Sequence, residues 1–172
     1  SDLNPTAERN SFHPVSLEHK LGIHGSPTCV MQYENAVAEL VGRPNEGLAH
    51  MFVMMNAARL AVGVEGVGIA ERAYQHALAY ALERRQGTSV WTGERNAPLF
   101  DLPDVRRMLA TMKAKVSAAR AICFSTGVAA DMARHAANEE DRKAWKGRED
   151  LFTPIAKAWS TDIGCEVASL GV

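Results

Sequence analysis

Long uninterrupted hydrophobic runs are missing from this sequence. The longest apolar stretches, such as Ala57–Ala70, are broken by Arg59, Glu65 and several glycines, so no bilayer-spanning segment is expected. An excess of charge is missing as well. Nineteen Lys and Arg stand against twenty Asp and Glu, for a net charge of -1 and a pI near 6.6. That balance gives no electrostatic reason to expect a nucleic-acid or anionic-membrane partner. Cysteine is scarce: Cys29, Cys123 and Cys165 are far apart and odd in number. A disulfide framework is therefore not expected, a reducing compartment is, and each thiol reads as a small buried apolar group. Ser1-Asp2-Leu3-Asn4-Pro5 offers no basic leader with an apolar core, so no export signal is expected and the location reads as cytoplasmic.

Local signatures of chemistry are absent too. There is no GxGxxG, no P-loop, no HExxH and no CxxC pair. The histidines His13, His19, His24, His50, His76 and His135 do not fall at metal-ligand spacings, so no metal site is expected. What is present is a globular composition, 47% hydrophobic and 23% charged, in a chain long enough for one ordinary domain.

The chain changes character near residue 46. Before it, Phe12–Leu17, Cys29–Tyr33 and Ala36–Val41 are short β-compatible runs separated by His24-Gly25-Ser26-Pro27 and Arg43-Pro44-Asn45. These strands are too few to close a barrel or build a sandwich, so residues 1–45 read as the tail end of a larger β domain.

From Glu46 onward, over 46–172, the period becomes helical. Leu48, Phe52, Met55, Arg59, Val62, Ile69, Ala73, Ala77 and Ala81 recur at three- to four-residue steps. The run is expected to end in Glu83-Arg84-Arg85-Gln86-Gly87, with Gly87 as a left-handed cap. Gly63, Gly66 and Gly68 each weaken that helix by about 1 kcal/mol relative to alanine, a cost that close packing against a helix or ligand would explain. A second helix opens at Asp101 or Leu102-Pro103 and carries Val105, Met108, Met112, Val116, Ala119, Ile122, Thr126, Ala129 and Ala133. Asn138–Asp150 lacks a stripe and reads as a solvated connection or a short exposed helix. A third helix is expected from about Phe152-Thr153-Pro154, with Ile155, Ala158, Cys165 and Ala168 inward and Asp162 hydrogen-bonded near that face. The fold class is mainly α: an antiparallel helical bundle preceded by a few strands of a truncated β domain.

Four blocks carry a resemblance. Gly22-Ile23-His24-Gly25-Ser26-Pro27-Thr28, Gly42-Arg43-Pro44-Asn45-Glu46-Gly47-Leu48, Met54-Met55-Asn56-Ala57-Ala58-Arg59 and Tyr80-Ala81-Leu82-Glu83-Arg84-Arg85-Gln86-Gly87 stand in order. Together they resemble the acyl-CoA dehydrogenase family. Asp104-Val105-Arg106-Arg107-Met108-Leu109 and Ala156-Lys157-Ala158-Trp159 extend the match over nearly the whole chain. The details are most similar to the branch that contains the methylmercaptopropionyl-CoA dehydrogenases.

The resemblance implies an FAD-dependent enzyme. In that family a glutamate removes the α-proton of an acyl-CoA thioester and the β-hydrogen leaves as hydride to the flavin. It also implies that the usual glutamate and its Gly-Gly loop would follow Val172. The alternative position, just before Arg59, holds Ala58, which carries no proton. No catalytic residue is therefore assigned, and this stretch by itself is expected neither to retain FAD nor to turn over.

Site residues follow from the same blocks. Ser26 matches a serine at the CoA end of the substrate channel, or is simply a turn residue before Pro27. Asn56 and Arg59, three apart and so on one helix face, match a pair that reaches CoA. Arg59 could instead pair internally with Glu65 or Glu34. Arg84 and Gln86 match contacts to the FAD pyrophosphate of a neighbouring subunit, since a guanidinium donates two parallel bonds to phosphate. The other reading of Arg84 is an exposed helix-end arginine. Pro103 stands near where relatives have a flavin-contacting glutamine. Met51, Met54 and Met55 read as core, with an acyl channel as the alternative. The expected partners are an acyl-CoA substrate, a second copy in a homo-oligomer and an electron-transferring flavoprotein. An acyl-CoA oxidase-like enzyme and a DNA-associated member of the superfamily remain the other classes, the latter needing a basic surface that the overall charge does not supply.

Overall fold

A computed structural model describes residues 9–172; the expectation about the first five residues lies outside them. The chain forms two compact units, one ending at Gly47 and the other spanning Leu48–Val172.

In the first unit β1 (Phe12–Leu17) pairs antiparallel with β2 (Cys29–Tyr33), Phe12 opposite Tyr33 and Leu17 opposite Cys29. The register slips between Pro14 and Ser16, where proline has no N–H to give the ladder. The rings of Phe12 and Tyr33 lie 6.0 Å apart. The expected third strand at Ala36–Val41 does not form. The Asn10 side chain takes the Val37 backbone instead, its Oδ1 accepting from Val37 N at 2.9 Å and its Nδ2 donating to Val37 O at 2.6 Å. An amide side chain thus satisfies the groups that a ladder would have used.

The second unit holds α1 (Gly47–Glu83), a single 3-10 turn (Leu99–Asp101), α2 (Pro103–His135) and α3 (Glu139–Leu170). Close contacts set their directions. Glu71 of α1 meets Arg120 of α2, and Tyr74 meets Lys113, so α1 and α2 run antiparallel. Cys123 meets Ser160 and Lys115 meets Glu166, so α2 and α3 run antiparallel. Gly63 lies against Ala156 and Gly66 against Ser160, which makes α1 and α3 parallel. The unit is an up-down-up three-helix bundle.

α2 buries the stripe its spacing predicts, including Met112, Val116, Ala119, Thr126 and Ala129. α1 follows its expected stripe only towards its end, where Ala81 is buried and Ala73 and Ala77 pack on the core; ahead of that its inward face is Gly63, Gly66, Val67 and Ala70, while Val62 and Ile69 are exposed. α3 buries Thr153, Ala156, Ser160, Ile163, Gly164 and Val167, and leaves Ile155, Ala158 and Cys165 outside. The reason is distance: two backbones meet where side chains are smallest, so small residues mark the seam and larger aliphatics face away. Gly68 has nothing within 4 Å of an added Cβ and plays no part in the seam. Asp162 lies exposed on the outer face of α3, and Cys165 is exposed, against the expectations for both. Cys29 is partly buried; only Cys123 is buried outright, its Sγ 3.4 Å from Ser160 Oγ. Buried hydroxyls bond back along their own helices, Thr126 to Ile122 O at 2.8 Å and Thr153 to Glu149 O at 2.7 Å.

Asn138–Asp150 is the opening of α3, not a connection. The Asn138 side chain accepts from Asp141 N at 2.8 Å, and Glu139, Glu140 and Asp141 place negative charge at the N-terminus. Lys146 bridges Glu149 and Asp150 at 3.0 and 2.8 Å. These pairs make a stripe-free segment helical. Pro154 consequently lies inside α3 and does not start it.

By length and composition α1 is also apolar enough to cross a membrane, with 17% of its most apolar window buried. The expectation of no such segment rested on Arg59, Glu65 and the glycines, whose polarity the surrounding alanine and valine outweigh.

Candidate functional site

The arginines that the sequence singles out are Arg59, twelve residues into α1, and Arg84, the first residue past it, about 37 Å apart along the axis at 1.5 Å per residue. In the first half of α1 Asn56 and Arg59 are together, Arg59 Nη1 donating to Asn56 Oδ1 at 3.4 Å. The guanidinium also lies 5.7 Å from the centre of the Phe52 ring. Among the described residues of the second unit no carboxylate pairs with it, and Glu65 makes no ion pair. Arg59 is partly buried and keeps its charge unneutralised.

Asn56 opens on a groove of about 710 Å³ between α1, α2 and α3. Phe52, Val53 and Leu60 line its apolar side; Asp131, Arg134, Lys146 and Glu149 supply its polar side. Hydrogen bonding to Asp150, and then to Glu149, raises the Lys146 ammonium above its usual range. The sequence reading missed this polar wall because its members meet only when α3 folds back along α2. Met51 and Met54 are exposed and fill no core of the bundle.

At the second end α1 stops at Glu83 and does not run on to a Gly87 cap. Leu99 N donates to Arg84 O and Gln86 N to Ala97 O, both at 2.8 Å, so the chain turns into a hairpin. Arg85 faces Pro98 and Thr88 faces Arg95 across it. Gly87, at φ +81°, sits within this hairpin four residues beyond the helix. Ser89 is buried, and its Oγ accepts from Trp91 N and Thr92 N at 3.3 Å. The guanidinium of Arg106 lies between the Trp91 and Phe100 rings, 5.3 and 4.9 Å from their centres. Trp91 Nε1 donates to Asp101 O at 3.2 Å.

This ordered hairpin presents Arg84 beside Tyr80, Glu83, Arg85 and Asn96 in an open depression of about 450 Å³. Arg84 and Gln86 are exposed, and among the described residues the Arg84 guanidinium has no partner. Arg85 is engaged, Nη2 with Glu94 at 2.5 Å and Nε with Asn96 O at 2.8 Å. An unpaired guanidinium can donate two parallel hydrogen bonds to a phosphate.

Ser26 lies in the first unit, exposed, in the loop joining β1 and β2. Its backbone closes a turn, N donating to Ile23 O at 3.2 Å and O accepting from Lys20 Nζ at 2.5 Å. The turn reading accounts for its main chain and leaves the hydroxyl uncommitted. Among the described residues no three His, Cys, Asp or Glu side chains gather as a metal site. Pro103 is the first residue of α2 and provides no side-chain donor.

The chain is mainly α, a three-helix unit preceded by a two-stranded sheet, with Arg59 in the first half of its longest helix and Arg84 just past that helix's end. Comparison with known families narrows the class: the acyl-CoA dehydrogenase C-terminal domain matches residues 45–172, and the chain belongs to the acyl-CoA dehydrogenase family. It is 49% identical to 3-methylmercaptopropionyl-CoA dehydrogenase of Ruegeria pomeroyi, over 97% of this chain and 28% of that protein. It is 34% identical to a butyryl-CoA dehydrogenase of Syntrophomonas wolfei, over 90% of this chain and 27% of that protein. The fold matches butyryl-CoA dehydrogenase from Megasphaera elsdenii with a TM-score of 0.71 at 23% identity, covering 94% of this chain and 37% of that one. Glutaryl-CoA dehydrogenase in complex with glutaryl-CoA matches at a TM-score of 0.61 and 27% identity, over 93% and 41%. The chain thus spans little more than a quarter of the length of these two sequence relatives.

Proposed function

We propose that this chain is part of an FAD-dependent acyl-CoA dehydrogenase, comprising the end of its middle β domain and most of its C-terminal helical domain. The observation that carries the reading is the pair Arg59, within α1, and Arg84, just past it, for neither of which a carboxylate partner is found in the helical unit. An arginine left so has its charge free for an anion, and both acyl-CoA and FAD bring phosphates. The match to the acyl-CoA dehydrogenase C-terminal domain supports the assignment.

Arg59 and Asn56 would hold a polar group of CoA; Ser26, in the other unit, is a separate candidate for a CoA contact. Asn56 accepts from Arg59 without adding charge, which keeps the guanidinium oriented and its remaining N–H groups available. Arg84 and Gln86 would hold the FAD pyrophosphate of a neighbouring subunit. FAD, when bound, supplies the acceptor for the hydride that leaves the β-carbon of the thioester. The base that takes the α-proton is not assigned to any residue here: Ala58 has no proton to exchange. Activity therefore belongs to a longer chain, and residues 1–172 alone are inactive and do not retain flavin. An electron-transferring flavoprotein is the electron acceptor in this reading.

Self-association fits the surface of α1. Met51, Val62, Ile69 and Tyr80 are all exposed and, at spacings of eleven, seven and eleven residues, fall on one line of the helix. Such a stripe is the part of a helix that a protein partner covers.

Substitution of Arg59 tests the substrate half. In the full-length protein Arg59→Ala raises KM for an acyl-CoA about tenfold or more, while its bound-flavin spectrum is unchanged. Equal KM values for both proteins would remove Arg59 from the site.

A further inference from the structure

Arg84 and Arg85 are adjacent, chemically identical and both exposed, yet only one is free. The hairpin decides which. The bonds from Leu99 N to Arg84 O and from Gln86 N to Ala97 O flank the Arg85–Pro98 bridge, so residues 84–86 are held extended. Successive side chains of an extended segment point to opposite sides. The Cα–Cβ bonds of Arg84 and Gln86 therefore leave one side of the strand and that of Arg85 the other, although Arg84 and Arg85 both border the same depression. There Arg85 is tied twice, to Asn96 O through Nε and to the Glu94 carboxylate through Nη2. Both acceptors come from the returning limb, whose turn is set by Gly93 at φ +74° and Asn96 at φ +57°. Asn96 N in turn donates to Gly87 O at 2.7 Å.

We propose that Arg85, through Glu94 and Asn96, is a positioning residue: it fixes the twist of residues 84–86 so that Arg84 and Gln86 face the cofactor phosphates together. Arg85 does not touch the phosphate. The inference rests on the reading of Arg84 and Gln86 as pyrophosphate contacts. It makes a prediction opposite in sign to simple charge counting. Removing the Glu94 carboxylate takes a negative charge from beside an anion site and frees a second guanidinium, and on Coulomb grounds alone FAD would bind more tightly. If Glu94 and Arg85 act by positioning, FAD binds more weakly.

The experiment is titration of FAD into the flavin-stripped full-length protein, read by quenching of flavin fluorescence. The proteins compared are wild type, Arg84→Ala, Glu94→Ala, Glu94→Gln and Arg85→Lys. Arg84→Ala weakens FAD about a hundredfold at most, the scale of a lost charged hydrogen bond. Glu94→Ala weakens it about tenfold, the usual scale for a partner that orients a binding group. Glu94→Gln keeps an acceptor and Arg85→Lys keeps the charge, so both fall between wild type and Glu94→Ala. Far-ultraviolet circular dichroism shows the bundle intact in each protein, and Glu94→Gln carries the test if Glu94→Ala does not fold. A Glu94 variant that binds FAD as tightly as wild type, or more tightly, while Arg84→Ala binds it weakly, overturns the positioning role and leaves the Arg84 contact standing. Unchanged affinity in Arg84→Ala overturns the pyrophosphate reading itself, and this inference with it.

Discussion

A methyl group on Gly66 would stand 2.4 Å from the carbonyl oxygen of Ser160 and 2.8 Å from its carbonyl carbon, so α1 and α3 touch backbone to backbone there. Gly164 answers from the other side, its own added Cβ 3.3 Å from Gly66 Cα. The parallel crossing of α1 and α3 depends on this seam, because neither backbone can move aside as a flexible side chain would.

Gly66→Ala therefore destabilises the bundle by about 2–3 kcal/mol, the range for overpacking against atoms that cannot yield. Gly68→Ala, two residues on, meets nothing within 4 Å and stabilises α1 by up to about 1 kcal/mol through helix propensity. Urea unfolding of the two variants should show shifts of opposite sign.

Glu71 and Arg120 tie α1 to α2 at 2.8 Å, and Gln75 Nε2 donates to Glu71 Oε1 at 2.9 Å. The Gln75 amide and then the Arg120 guanidinium hold the Glu71 carboxyl below its ordinary value of 4.5. A depressed carboxyl stabilises the fold at pH above its unfolded value, and that contribution is lost as pH falls through the lower folded value. Unfolding free energy should thus fall on acidification below about pH 4.5, and Glu71→Gln should make that acid limb shallower while lowering stability at neutral pH. Parallel limbs in the two proteins would remove this pair from the account.

Ile69 is 58% exposed in the middle of the α1 stripe. Ile69→Glu leaves the helix content of the bundle intact, since the side chain touches no core, but shifts the full-length protein towards smaller species. Sedimentation velocity at tens of micromolar reads this directly, and an unchanged distribution would take Ile69 out of the interface.

Much of this was legible in residues, and the failures share a cause. α2 is amphipathic by its larger side chains, so Met112, Val116 and Ala119 mark the inward face in sequence and in space. α1 and α3 meet through small residues instead: glycine, alanine and serine form the seam with Val67, Ile163 and Val167, while Val62, Ile69 and Ile155 are outside. A search for apolar spacing therefore misses the seam, although the cost of three glycines in one helix already hints at a close approach. Pro154 gave a false start signal because the true cap, Asn138, opens a segment helical by charge pairing alone. Asn56 and Arg59 were legible as neighbours because a helix makes residues three apart adjacent. The Arg85–Glu94 lock was not, since it depends on a hairpin whose bridges nothing in residues 84–98 announces.

The central claim is that Arg84, at the close of α1, holds phosphate. A crystal structure of the full-length protein with FAD tests it most directly. The account predicts the Arg84 guanidinium at about 2.7–3.2 Å from pyrophosphate oxygens of the FAD bound to a neighbouring subunit, with Gln86 beside it. A guanidinium instead paired with a carboxylate of its own subunit, with the FAD phosphates held elsewhere, would contradict it.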